Sequence, residues 1–326
     1  MRPILVTGAA GFIGAHLCRR LLARGEQVVG VDDLNDYYPP ELKRARLAAL
    51  CQGPRFEFIE GDIAREGLLG ALLEAHGAGR IVHLAAQAGV RHSLEAPRRY
   101  LRANVQGFLE LLEAARRFPV EHLVYASSSS VYGATGSIPF REDTRLDAPM
   151  SLYAATKIAG EALAASYAGL FGIPCTGLRF FTVYGPWGRP DMAPMKFARA
   201  LLRGEPIEVY GGGTAQRDFT HVDDIVDGIL LALASPPPAS APHRLLNLGR
   251  GRPVSVNEFI ATLERVTGCA ALRIEKPMPP GDMPATWADT GRAAHLLGYA
   301  PRRDLDQGLH DLVAWLREHE GVAAAA

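Results

Sequence analysis

A chain of 326 residues is too long for one ordinary small domain, and 48% hydrophobic residues provide for a substantial buried core. The 35 basic and 35 acidic side chains cancel to zero formal charge, which argues against a nucleic-acid footprint spread over the surface. No apolar run reaches the ~18 residues of a membrane span. Cys18, Cys51, Cys175 and Cys269 form no C-x-x-C pair, so neither structural zinc nor a disulfide framework is expected. Met1-Arg2-Pro3 runs straight into Ile4-Leu5-Val6 and leaves no room for a signal peptide. The expectation is a cytoplasmic protein with reduced thiols.

In chain order, Ile4-Leu5-Val6 is a short apolar strand closed by a glycine turn, and Gly11 to about Ala23 has helical periodicity. Gln27 to Val31 is a second strand, ending in Asp32 and Asp33. Phe56 to Ile59, Arg80 to Leu84 and His122 to Ala126 are the third, fourth and fifth, with helical stretches at about 65–76 and 97–117. Strands alternating with helices imply a doubly wound parallel sheet with both faces covered and ligands at the strands' carboxyl ends. Near Phe180 the pattern loosens into loops. Residues 219–234 read as an apolar helix, 235–240 as a proline-rich surface linker and Arg244 to Leu248 as a strand. The stretch from about 255 to 318 reads as two helices around a strand at Leu272-Arg273-Ile274. The expected division is residues 1–180 as a dinucleotide-binding domain, with about 217–250 returning to it, and 181–326 as a smaller α/β substrate domain.

Gly8-Ala9-Ala10-Gly11-Phe12-Ile13-Gly14 follows a strand and opens a helix. Gly8 permits a tight turn, Gly11 lets backbone N–H groups approach a pyrophosphate, and Gly14 lets the helix pack closely. Asp32, 18 residues beyond Gly14, can bind both hydroxyls of an adenosine ribose and would repel a 2′-phosphate. NAD is therefore expected over NADP. Asp62 is open to two readings, a contact to the adenine edge or a cap for a helix beginning near Ala64. Ala85, Ala86 and Gln87 suit backbone running beneath a flat cofactor.

Tyr153 and Lys157 stand four apart on a helix, hence on one face. A tyrosine of pKa ~10 is a poor base at neutral pH, and a neighbouring ammonium would bring its phenolate within reach. Lys157 can also hold the nicotinamide ribose. Ser127-Ser128-Ser129-Ser130, at the end of the fifth strand, can supply a hydroxyl to the reacting oxygen. The residues alone leave open which serine turns inward.

Together these elements resemble the extended short-chain dehydrogenase/reductase family, and within it the NAD-dependent nucleotide-sugar epimerases. The resemblance covers essentially the whole chain. It continues through Leu84-Ala85-Ala86-Gln87-Ala88, Asn104, Val131-Tyr132-Gly133, Leu178-Arg179-Phe180-Phe181, Val183-Tyr184-Gly185-Pro186, Arg217-Asp218-Phe219, His221-Val222-Asp223-Asp224 and Gly281-Asp282-Met283-Pro284. Asp33 to Pro39, Leu42 to Leu47 and Arg179 to Met192 look like the UDP-glucuronate 4-epimerases. The resemblance implies Tyr153 as base, Lys157 as its partner and Ser128 as the catalytic hydroxyl. It implies cofactor contacts at Gly8, Gly11, Phe12, Ile13, Gly14, Asp32, Asp62, Ile63, Ala85, Gln87 and Asn104. UDP-sugar contacts fall on Ser128, Thr182, Arg189, Arg217 and Asp282, with Arg217 on the diphosphate. An arginine near the hexose can pair bidentately with a uronate carboxylate, which suits Arg189; the alternative is a surface arginine in a proline-rich loop.

Two departures matter. Many relatives carry an arginine two residues before Gly281, where this chain has Pro279. Dehydratase relatives carry Thr-Asp-Glu where this chain has Ser128-Ser129-Ser130, so the groups that eliminate water are missing. The rivals on the same scaffold are UDP-glucose 4-epimerisation and UDP-glucuronate decarboxylation. A non-catalytic NAD-binding regulator is the rival from another class. A homodimer pairing the helices at about 97–117 and 151–171 is expected, and neither a metal, a nucleic acid nor a membrane partner is.

Overall fold

The computed structural model describes residues 2–134, 138–278 and 283–321. Six strands come in chain order: β1 (Ile4–Thr7), β2 (Val28–Asp32), β3 (Phe56–Glu60), β4 (Arg80–His83), β5 (His122–Ser128) and β6 (Cys175–Phe180). Four short strands follow: β7 (Thr182–Tyr184), β8 (Pro206–Tyr210), β9 (Gln216–Arg217) and β10 (Phe219–His221). Next is β11 (His243–Leu248), which joins the first six in one parallel sheet of order β11-β6-β5-β4-β1-β2-β3. Strand order reverses between β1 and β4, and the crevice at such a switch point is where doubly wound sheets bind ligands.

Side chains alternate across the sheet with period two. Ile4 and Val6 turn to the face covered by the helices Phe12–Ala23 and Val222–Ala234. Leu5, Val29 and Val31 turn to the opposite face, under the helices Leu68–His76, Gly107–Arg117 and Leu152–Phe171. A further apolar cluster joins the helices Ala193–Arg203, Val256–Thr267 and Leu305–Glu320 over β8. Among the described residues no helix is long and apolar enough to cross a membrane.

Three readings from periodicity are corrected. Residues 219–234 are not one helix: β10 pairs with β7, and the helix starts only at Val222, where the His221 ring nitrogen accepts the Asp223 amide at 3.2 Å. Among the described residues beyond 255 there are three helices, because Gly298, in the left-handed region, ends Gly291–Leu297 before Asp304 caps Leu305–Glu320. The stretch 97–117 is interrupted by a π-helical segment, Leu101–Gln106, that carries Asn104.

One buried polar network ties the helix Leu152–Phe171 to the sheet. Arg179 of β6 grips Glu161 bidentately, Nε–Oε1 2.8 Å and Nη2–Oε2 2.7 Å, with both side chains almost wholly buried. Arg179 also donates to the Tyr132 hydroxyl, which in turn donates to Asn247 of β11. Replacing Glu161 by leucine leaves a buried, unpaired guanidinium. The expected loss is about 3–5 kcal/mol of stability, read as a lowered urea midpoint, with Arg179→Met plus Glu161→Leu costing less than the sum of the single variants.

Candidate active site

A cavity of about 750 Å³ opens along the carboxyl ends of the central strands. At one end lies the glycine turn. Gly8 has φ +71°, and a Cβ there would sit 2.6 Å from the Ala85 amide nitrogen; a Cβ on Gly14 would sit 2.0 Å from the Gly8 carbonyl oxygen. Both positions therefore exclude any larger residue. Gly11 begins the helix Phe12–Ala23, and no side chain caps its first turn. Uncapped amides at a helix N-terminus favour an anion.

Asp32, at the tip of β2, is buried against the same turn. Its carboxylate accepts the Ala10 amide at 3.1 Å and the Leu34 amide at 2.9 Å, with Lys43 Nζ 3.9 Å away. Burial pushes its pKa up, against the opposing pull of Lys43 and the Leu34 amide. Asp62 accepts the Ala64 amide at 2.8 Å and an Arg102 fork at 3.0 and 2.7 Å. The following helix begins only at Leu68, so Asp62 closes a turn and caps no helix. Ile63, Ala85 and Gln87 line the wall, as do Phe12 and Ile13. These groups fit a dinucleotide: a cradle too tight for a Cβ, free amides for its phosphates and a carboxylate for its ribose.

The reactive end is built on the helix Leu152–Phe171, which starts where Ser151 Oγ accepts the Ala154 amide at 3.0 Å. That start puts Tyr153 in the first turn and Lys157 one turn below, both on the cavity wall. Packing distinguishes two of the serines that the sequence leaves open. The Ser127 hydroxyl donates to buried Glu161 at 2.5 Å, while the Ser128 hydroxyl, on the cavity wall with Tyr153, donates to Ser130 Oγ at 3.2 Å. Burial raises the Tyr153 pKa, and a hydrogen bond with Ser128 and the Arg189 charge pull it back. Lys157 is not among the groups that lower it, contrary to the expectation from spacing. Its Nζ donates to the Ala126 carbonyl at 3.0 Å, and burial brings its own pKa down to about 8.

Asn104 does not line the cavity. Its carboxamide accepts the Gln87 amide at 2.8 Å and donates to the Gln87 carbonyl and to Thr156, each at 3.0 Å, so it braces the wall from behind. Thr182, Arg189 and Arg217 do line it, and Asp282 lies outside the described residues, as do Pro279 and Gly281. Arg189 is not a surface residue of its loop, and its fork does not stand open. Nε meets Asp191 Oδ1 at 3.0 Å, Nη2 meets Oδ2, and the Tyr37 hydroxyl donates to that carboxylate at 2.9 Å. Burial raises the Asp191 pKa, but the Arg189 bonds outweigh it and hold the carboxyl below its ordinary value. Arg189 Nη1 takes no hydrogen bond among the described residues.

Sequence reasoning missed Tyr37, Lys43, Asp191 and Asp218. Asp218 is wholly buried and accepts the amides of Arg250, Gly251 and Ala288, tying the strands around Arg217 together. An acidic residue between Arg217 and Phe219 was its only trace.

The model of the NAD dependent epimerase/dehydratase family matches residues 4–249. UDP-glucuronate 4-epimerase 3 of Arabidopsis thaliana is 46% identical over 96% of this chain and 76% of that protein. The crystal structure of a Bacillus cereus UDP-glucuronic acid 4-epimerase in complex with UDP-glucuronic acid and NAD superposes with TM-score 0.91 at 37% identity, covering 97% of this chain and 99% of that one. A Thermotoga maritima UDP-glucose 4-epimerase with UDP-glucose gives 0.88 at 30% identity, covering 97% and 99%.

Burial makes Lys157 a pH probe. Its folded value of about 8 lies below the ordinary 10.5, so the unfolded chain binds more protons between these two values. Relative to Lys157→Met, the wild type is expected to gain stability as pH rises from about 7 to about 9.5. Urea unfolding of both proteins at the two pH values checks the sign.

Proposed function

This chain belongs to the NAD dependent epimerase/dehydratase family, and from that premise we propose that it converts UDP-glucuronate to UDP-galacturonate through a 4-keto sugar. The observation that supports this reading is a single cavity wall shared by the Ser128–Tyr153–Lys157 set, the glycine turn and a partly buried arginine, Arg189. A uronate carboxylate can pair with a guanidinium on that wall, and a C6 hydroxymethyl group cannot.

The glycine turn and Asp32 would hold NAD. When bound, NAD supplies a hydride acceptor that gives the hydride back, so the net reaction is redox-neutral. Tyr153 takes the proton of the C4 hydroxyl and later returns it, while Ser128 hydrogen-bonds the same oxygen. Lys157, beside Tyr153 on the same helix face, would hold the nicotinamide ribose, and Arg217 binds the diphosphate. A 4-keto-uronate is a β-keto acid, which loses carbon dioxide when the C5–C6 bond aligns with the C4 carbonyl π system. Arg189, through Nη1 or by exchanging Asp191, pairs with the carboxylate, and Thr182 hydrogen-bonds it; together they hold that bond out of alignment.

In this reading residues 1–180 with 217–250 serve the cofactor and most of 181–326 the sugar nucleotide. Asp62 and Ile63 flank the adenine. The enzyme is a cytoplasmic homodimer, for which exposed Leu101, Leu109, Leu170 and Phe171 on the two candidate interface helices offer apolar area.

Incubation with UDP-glucuronate, followed by chromatography and proton NMR, is expected to give a mixture with UDP-galacturonate; turnover of UDP-glucose alone would refute the assignment. Tyr153→Phe should lower kcat by about 10²–10⁴. Arg189→Ala should raise KM about tenfold or more and release UDP-pentose, and unchanged KM without pentose would remove Arg189 from the carboxylate.

A further inference from the structure

Arg46, on the helix Pro40–Leu50, is completely buried. Among the described residues it faces no carboxylate within ion-pair distance; its four hydrogen bonds go to neutral oxygens. Nε donates to the Trp187 carbonyl at 3.0 Å and Nη2 to the Gly188 carbonyl at 3.3 Å. Nη1 donates to the Ala10 carbonyl at 3.2 Å and to the Tyr38 hydroxyl at 2.7 Å. A buried charge held by neutral oxygens alone is a costly way to fill space, and an apolar side chain would fill it better.

Its acceptors belong to two different parts of the site. Ala10 lies in the glycine turn, and its own amide binds Asp32. Trp187 and Gly188 immediately precede Arg189. Trp187 sits at φ +61°, a left-handed conformation that a bulky residue keeps only when its surroundings impose it. Its ring is pinned by Trp315 at 5.1 Å and His319 at 4.7 Å, and its carbonyl by Arg46. Lys43, three residues before Arg46 and so on the same helix face, approaches Asp32 and shares the Tyr38 ring, the two cations lying 5.1 and 5.2 Å from its centroid.

We infer that Arg46 is a positioning residue that locks the Trp187–Gly188 backbone to the cofactor turn and thereby sets where Arg189 meets the substrate carboxylate. The inference rests on the reading of Arg189 as carboxylate ligand. Its consequence is that the cofactor turn and the sugar loop are registered to each other through this guanidinium fork, alongside the His16 Nε2–Pro186 carbonyl hydrogen bond at 3.0 Å from the helix that follows the turn. A lysine reaches one carbonyl where the arginine reaches three.

The test uses the NAD-loaded protein with NAD in excess, comparing wild type, Arg46→Lys and Arg46→Met. KM and kcat for UDP-glucuronate, inhibition by UDP and the UDP-pentose fraction are measured for each. Arg46→Lys is expected to raise KM for UDP-glucuronate about tenfold and to release pentose, with UDP inhibition within about twofold of wild type. Arg46→Met should exceed it on both counts; should it not accumulate folded, the lysine variant carries the test. Variants that only unfold earlier, or lose active fraction at unchanged KM and product ratio, overturn the inference while leaving the substrate reading intact. Wild-type protein that leaves UDP-glucuronate untouched overturns both.

Discussion

The buried Arg179–Glu161 ion pair governs the geometry of the reactive end. Tyr153, Lys157 and Glu161 lie at i, i+4 and i+8 on one helix and so form one stripe. Two of the three face the cavity, and the third is clamped to β6 by two short bonds and to β5 through the Ser127 hydroxyl. A rotation of the helix about its axis would have to strip a buried carboxylate from a buried guanidinium. The phenol is thus held opposite Ser128. The desolvation cost of the pair is offset by a nearly complete set of partners, with Tyr132 and Asn247 continuing the network into β11.

Burial does the same electrostatic work on both reactive side chains. It favours the neutral form of each, raising Tyr153 and bringing Lys157 to about 8. A raised phenol is a harder group to ionise, so the phenolate depends on groups aimed at its oxygen. Ser128 and Arg189 are the groups already pulling the phenol back toward ionisation. Lys157 spends its hydrogen bond on the Ala126 carbonyl, which keeps its ammonium beside the end of β5.

The two ends of the cavity recognise by different means. At the glycine turn, recognition rests on backbone: the absence of Cβ atoms and the free amides of a helix start. At the sugar end it rests on side chains carried by short strands and by the loop 185–192. Arg189 is held both by Asp191, two residues on, and by Tyr37, 152 positions earlier in the chain. The same scaffold is shared by the Bacillus cereus protein solved with UDP-glucuronic acid and the Thermotoga maritima protein solved with UDP-glucose, so the fold by itself does not fix the sugar.

The amino-acid sequence by itself determined what depends on neighbours along the chain. Alternating strands and helices specified the parallel sheet, the spacing of Gly8, Gly11 and Gly14 specified the phosphate turn, and Tyr153 with Lys157 specified one helix face. Each is a consequence of backbone sterics or helical period, which act within a few residues. Tertiary structure decided the rest. It turned the Ser127 hydroxyl to Glu161, a partner 34 positions away, and set Ser128 on the cavity wall with Tyr153. It made Asn104 a brace behind the wall, brought the Tyr37 hydroxyl onto the Asp191 carboxylate beside Arg189, and broke 219–234 into a strand and a helix because β7 lay ready to pair. Hydrogen bonds and burial between distant segments carry no periodic trace in the chain, and only the closed sheet brings those segments together.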